Sequence, residues 1–173
     1  MSLRPDLVEC WVFRVPPPVS ADDPRTEAER LEILLIRRAA HRIFPGLWQC
    51  VTGGVEPGEF IPAAAMREVL EETGLGHDEI EAFYDLDQVT HFYDEGPDAI
   101  VAGAIFAVRV RPGAEPMLSH EHDGLLWACR EDALDLVVWP SYRETIDRII
   151  GKLRDPASEP WFRLDLEGRR PAR

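Results

Sequence analysis

Glu68, Glu71 and Glu72 stand three and four residues apart, with Arg67 just before them and Glu59 upstream. On a helix, positions i, i+3 and i+4 share one face, so these three carboxylates would converge. Like charges on one face repel unless something offsets them. A hard divalent cation does so, because Mg²⁺ takes carboxylate oxygens and keeps several waters. Arg67 can pair with Glu71 at i+4, or reach back and hold Glu59. For an arbitrary E-x-x-E-E run a solvated acidic face is the plainer reading. Here the flanking residues favour a metal site.

Those flanks determine which elements position the carboxylates. Glu56-Pro57-Gly58 fits a tight turn, with Pro at the first central position and Gly at the second, where φ is positive. Pro62 suits the first turn of a helix, where its missing N–H costs nothing. Residues 63–72 are mostly good helix formers, and Gly74 fits the left-handed position just past a helix end. Ala65, Val69 and Thr73, with Met66 and Leu70 beside them, form the face expected to pack on a sheet.

The whole segment 53–75 reads GGVEPGEFIPAAAMREVLEETGL. Gly53, Glu59, Arg67, Glu68, Val69, Glu71, Glu72, Gly74 and Leu75 fill every specified position of the Nudix box, G-x5-E-x7-R-E-U-x-E-E-x-G-U with U apolar. The chain therefore resembles the Nudix hydrolases. That resemblance implies an α/β fold: a Nudix α/β/α sandwich with a mixed β-sheet between helices. It implies Glu68 and Glu72 as the main Mg²⁺ ligands, with Mn²⁺ able to replace Mg²⁺. Glu71 would ligate directly or through water, and the Gly53 carbonyl would complete part of the shell. Glu59 would assist, and Arg67 would orient Glu68 or its neighbours. The reaction implied is a pyrophosphohydrolase reaction on a nucleoside triphosphate-like substrate, giving a monophosphate and pyrophosphate. Dinucleoside polyphosphates, ADP-ribose and nucleotide sugars stay open, as does a non-catalytic ligand-binding Nudix module. The isopentenyl diphosphate isomerases of this fold need Cys- and His-containing motifs that are missing here.

A narrower likeness involves Leu47 to Gly53 (LWQCVTG) and the pair Glu121-His122 ahead of Trp127. Both resemble the subgroup acting on dihydroneopterin triphosphate and dATP, in which the Glu before His contributes to catalysis. That role would fall on Glu121, either as general base or as a further metal contact; an exposed loop carboxylate is the alternative. Typical members carry Ser after the first Gly of the box, whereas this chain has Gly54. Arg37 and Arg38 end a strand-like stretch and suit phosphate by bidentate bonding, or are a solvated strand end. Trp48 stacks on a base or packs in the core. His91, His120 and His122 show no metal-ligand spacing.

Composition narrows the rest. A chain of 173 residues with 45% apolar content suits one domain with a real core. Residues 1–155 are expected to form it, with 156–173 as a tail packed on it or flexible beside it. The net charge is −13, with no basic arm, which argues against nucleic-acid partners. A small phosphorylated molecule remains a suitable partner, because bound metal supplies local positive charge. Cys10, Cys50 and Cys129 show no paired spacing and read as buried free thiols of a cytoplasmic protein, monomeric or homodimeric. No apolar run is long enough to span a membrane.

Strands are expected over 8–15, 32–38, 80–93 (one bent or two), 99–110 and 125–129, with 95–97 a turn. Residues 19–29 read as a mobile loop and 131–136 as a short helix. Ser141 and Glu144 resemble a capping box for a helix whose Ile146, Ile149, Ile150 and Leu153 face the core. Trp161, Phe162 and Leu164 are the expected docking points of the tail.

Overall fold

The computed structural model describes residues 6–96 and 98–171; Pro97 and residues 1–5 and 172–173 lie outside it. The elements in chain order are β1 (Leu7–Arg14), α1 (Glu27–Arg30), β2 (Glu32–Arg38), β3 (Trp48–Gln49), β4 (Val51–Gly54), α2 (Ile61–Thr73), β5 (Ile80–Asp94), β6 (Ala99–Val110), β7 (His122–Ala128), α3 (Arg130–Leu136), α4 (Pro140–Lys152), α5 (Glu159–Phe162) and β8 (Arg163–Leu164). Among the described residues, eight strands form one sheet along β3-β2-β1-β6-β5-β8, with β4 on β1 and β7 on β2. β1 and β6 run parallel and the other pairs antiparallel, so the sheet is mixed as expected.

Strand alternation divides the core in two. Val8, Cys10 and Val12 face α2 with Ala64, Ala65, Met66 and Val69. Trp11 and Phe13 face the other way, with Ala133, Val137, Tyr142, Ile146 and Ile149 of the α3–α4 side. The sheet therefore lies between helices. One edge of β1 is shared: β4 pairs with residues 7–10 and β2 with residues 13 and 14. This fork aligns Gly53 with Val8 and Thr52 with Glu9.

Several expectations change. The 19–29 stretch ends in a helical turn, α1, because Thr26 and Glu29 form a reciprocal capping box. The similar Ser141–Glu144 pair caps nothing. Pro140 takes the first turn of α4 after an extended Trp139, so that helix starts before Ser141. Residues 80–94 form a single strand with register shifts near Ile80 and between Asp85 and Val89, where Asp87 has φ 50°. Leu70 is 53% exposed, and Ala64 takes the inward position. Cys10 and Cys50 are buried free thiols, but Cys129 is half-buried at the start of α3. In the tail, Leu164 pairs with Phe83 and is buried, Phe162 packs on the core, and Trp161 stays exposed.

Candidate functional site

Helix α2 carries the carboxylates. It opens at Phe60, without a side-chain cap, through Pro62, and closes at Gly74 in the left-handed region (φ 68°). The three glutamates share a side but differ in burial. Glu72 is only 5% exposed. The Glu68 side chain is mostly buried and that of Glu71 is mostly in solvent.

Arg67 is the hub. Its Nε and Nη2 donate to the two Glu59 oxygens at 2.9 and 3.1 Å. Nη1 donates to Glu68 at 2.6 Å, and Nη2 also reaches the Gly54 carbonyl at 2.8 Å. The contact with Glu71 is long, at 3.4 Å. The two sequence-level alternatives for Arg67 therefore coexist, with Glu59 and Glu68 the closer partners. These carboxylates hold its guanidinium charged, raising its pKa.

Gly53 is required by this packing. A Cβ there would stand 1.9 Å from Glu68 Cδ, so the glycine backbone is what the Glu68 carboxylate lies against. Glu72 points into the same region, accepting a long 3.4 Å bond from the Thr52 N–H. Burial pushes Glu72 up to about 8, with Glu68 and Glu121 adding repulsion and Arg38 opposing it. Burial also raises Glu68. Two carboxylates withdrawn from water beside a bare backbone strand are a donor set that fits a hard cation. Among the described residues no three His, Cys, Asp or Glu side chains form a ready-made cage. Mg²⁺ does not need one, since waters and substrate phosphates complete its shell.

Glu121 arrives on the loop before β7. It forms an ion pair with Arg42 at 2.8 Å, and its backbone carbonyl accepts from Ala39 N–H at 2.9 Å. Its loop is tied to α2, since the Ser119 N–H donates to the Glu72 carbonyl at 3.1 Å, and its charge adds to the repulsion on Glu68 and Glu72. His122, next to it, is buried with neither ring nitrogen hydrogen-bonded, and burial lowers its pKa to about 4. His120 stacks on His41, with ring centroids 6.1 Å apart.

The strand-end arginines separate. Arg38 pairs with His122 and alternates onto the α2 face, donating to the Ile43 carbonyl and, at 3.4 Å, to Gln49. Arg37 lies on the opposite face, bonded to Asp123 at 2.7 Å with its guanidinium 5.7 Å from the Trp48 ring. The fold does not bring Arg37 to the carboxylates. Trp48 is half-buried against the α3–α4 core. Gln49, Thr52 and Arg42 were not singled out from sequence as site residues. Their part depends on strand pairing and loop packing, and no local pattern marks it.

Comparison with known proteins identifies the family. The NUDIX domain family model matches residues 19–149. The chain is 36% identical over 150 residues to an octanoyltransferase of Myxococcus xanthus, covering 80% of this chain but 40% of that protein. It is 35% identical over 104 residues to the nucleoside triphosphatase NudI of Klebsiella pneumoniae, 57% of this chain and 74% of the relative. A 43-residue stretch is 55% identical to the dihydroneopterin triphosphate diphosphatase of Escherichia coli, 25% of this chain and 27% of the other. In the first and third cases the chain spans less than half of the relative. A solved NUDIX hydrolase from Listeria monocytogenes shares the fold at TM-score 0.68 and 23% identity, over 88% of this chain and 96% of the other. The family match takes in β2 to β7, the box helix and most of α4, and the chain belongs to the Nudix hydrolase family.

Proposed function

We propose that this chain is a Mg²⁺-dependent pyrophosphohydrolase of a nucleoside triphosphate-like substrate, working in a reducing cytoplasm. The observation that supports it most directly is the pair Glu68 and Glu72, both withdrawn from water and gathered at the Thr52–Gly53 backbone. A buried carboxylate without a cation is costly, and a bound cation removes that cost. The names of the relatives, a nucleoside triphosphatase and a dihydroneopterin triphosphate diphosphatase, favour a triphosphate.

Glu68 and Glu72, with Glu71 and the Gly53 carbonyl, would hold the metal. When bound, Mg²⁺ neutralises the diphosphate and lowers the pKa of a water. Arg67 orients Glu68 and fixes Glu59, so the carboxylate geometry is set before substrate arrives. Glu121, held by Arg42, takes the proton as the water oxygen bonds to phosphorus. The bridging P–O bond breaks and pyrophosphate leaves. Arg38, on the same face, is the side chain we assign to phosphate contact; Trp48 and Arg37, on the other face, contact the rest of the substrate. We take residues 1–155 as the catalytic unit and 156–173 as its tail, in which Arg163 and Leu164 pair with β5.

The test is phosphate and pyrophosphate release, with Mg²⁺ and with EDTA, across dATP, other nucleoside triphosphates, dihydroneopterin triphosphate, diadenosine polyphosphates, ADP-ribose and nucleotide sugars. Metal-dependent pyrophosphate release from triphosphates is expected. Release only from dinucleotides or sugars would replace the triphosphate reading. Silence from folded, Mg²⁺-binding protein would turn it into a binding module.

A further inference from the structure

One strand away from the carboxylate site, on the other face of the sheet, lies a charged group that the chemistry above does not use. Glu9 sits in β1, LVECWVFR, whose other residues are apolar up to the terminal Arg14. Alternation turns it with Trp11 and Phe13 toward the α3–α4 side, away from α2. It is only 7% exposed. Its Oε2 is buried and accepts no hydrogen bond, and no ion pair reaches it among the described residues. The Trp11 indole N–H lies toward it without completing a hydrogen bond. Burial lifts its pKa to about 7. A buried polar atom left without a hydrogen bond is destabilising and calls for a partner.

The position of Glu9 restricts what that partner is. It pairs with Thr52 across β1–β4, and Val8 beside it pairs with Gly53. Glu9 is therefore about 5 Å, one strand spacing, from the backbone where the diphosphate is proposed to bind. A substrate held there by its phosphates would reach the Glu9 face by crossing β4, which pairs with β1. Aromatic surface is present on that face. Trp48 is half-buried on it. Trp139, at the start of α4, and Phe44, from the loop between β2 and β3, meet edge to face at 6.1 Å and are 41% and 61% exposed. Exposed aromatic rings are stacking planes for flat heterocycles.

We propose that Glu9 reads the substrate's head group, its carboxylate accepting two hydrogen bonds from a ring edge with adjacent N–H and NH₂ donors, as in guanine and the pterins. This rests on the diphosphate site proposed above and specifies its substrate class. A carboxylate is an acceptor at both oxygens, so it matches two parallel donors. Adenine offers one donor beside a ring-nitrogen lone pair, which would face a carboxylate oxygen and repel it. A buried polar group built for one edge rejects the wrong edge strongly, because rejection leaves it unpaired.

The experiment measures head-group binding apart from hydrolysis. Calorimetric titrations with GMP and with AMP in EDTA need neither metal nor a bond to cut. We expect wild type to prefer GMP by roughly ten-fold or more, as one bidentate pair supports. Glu9→Gln, which puts a donor where an acceptor stood, should bring the two within about two-fold. The ratio of kcat/KM for GTP over ATP should fall in parallel. Glu9→Asp keeps the charge but withdraws it by one methylene, and it decides by the same ratio should the Gln variant not fold. No GMP preference in wild type, or the same preference in the Glu9 variants, overturns the proposal. Selective GMP binding without triphosphate hydrolysis would leave the Glu9 reading standing and remove the hydrolase reading.

Discussion

Helices α2 and α4 are each 13 residues long, each enters through a proline in its first turn after an aromatic residue with no side-chain cap, and each packs on one face of the same sheet. They treat charge differently. α4 buries Tyr142, Thr145, Ile146 and Ile149 and leaves its ionic groups outside, where Glu144–Arg148 and Arg130–Asp147 pair in solvent. α2 buries Glu72 along with Ala64, Ala65 and Val69, and Glu68 is nearly as enclosed. Propensity and packing explain α4 entirely. They do not explain α2, whose buried carboxylates oppose folding. That contrast marks α2 as a helix kept for chemistry and α4 as one kept for stability.

Glu68→Gln should have the largest effect. Turnover should fall on the order of 1,000-fold, while the metal-free melting temperature moves little. Full activity at saturating Mg²⁺ would show that Glu68 is no metal ligand. The converse change is Ile149→Ala on α4, at a fully buried position. It should cost about 3 kcal/mol in urea unfolding and leave turnover per folded molecule unchanged.

Gly53→Ala probes the α2 side without touching a charge. Its Cβ would stand 1.9 Å from Glu68 Cδ, so the carboxylate must move. We expect a loss on the order of 100-fold in kcat with near-normal stability, since small misplacement of a reacting group is that costly. An active Ala variant would mean that Glu68 has room to relocate.

A smaller effect follows from pH. Glu72 is raised from 4.5 to about 8 in the folded protein and Glu9 from 4.5 to about 7, both by burial. The native state therefore holds their protons more tightly than the unfolded chain. The stability they contribute is complete below about 4.5 and is lost as pH rises through the folded values. In EDTA the melting temperature should drop by roughly several degrees between pH 5 and pH 8.5. Glu72→Gln should flatten the slope, and a rising slope would contradict the burial. The smallest effect is on α4: Glu144→Ala, breaking an exposed pair, should change stability by less than about 0.5 kcal/mol and activity not at all.

Much of this protein was legible in its sequence, for local physical reasons. The turn at 56–58, the proline and glycine bounding α2, the i, i+3, i+4 carboxylates and the alternating strands all depend on neighbours a few residues apart. So do β2 and β6, whose bounds match the expected ranges. The capping patterns show where local reading fails: two similar S/T-x-x-E sequences were present, and only Thr26–Glu29 closes a box. Near Ser141, Pro140 and an extended Trp139 had already fixed the helix start.

The site divides along the same line. Glu68, Glu71 and Glu72 were legible as one helix face, because helical periodicity alone brings them together, and Glu59 was legible as part of the entry loop before it. Long-range packing set what each of them meets. Strand pairing set Gly53 against Glu68 and Thr52 against Glu72, and loop packing brought Glu121 to the same side. Alternation sent Arg38 to the box and its neighbour Arg37 to the other face. It also buried Glu9, visible in the sequence only as one acid in an apolar strand. These contacts join residues tens of positions apart, and their register is set by long-range pairing that no local pattern encodes.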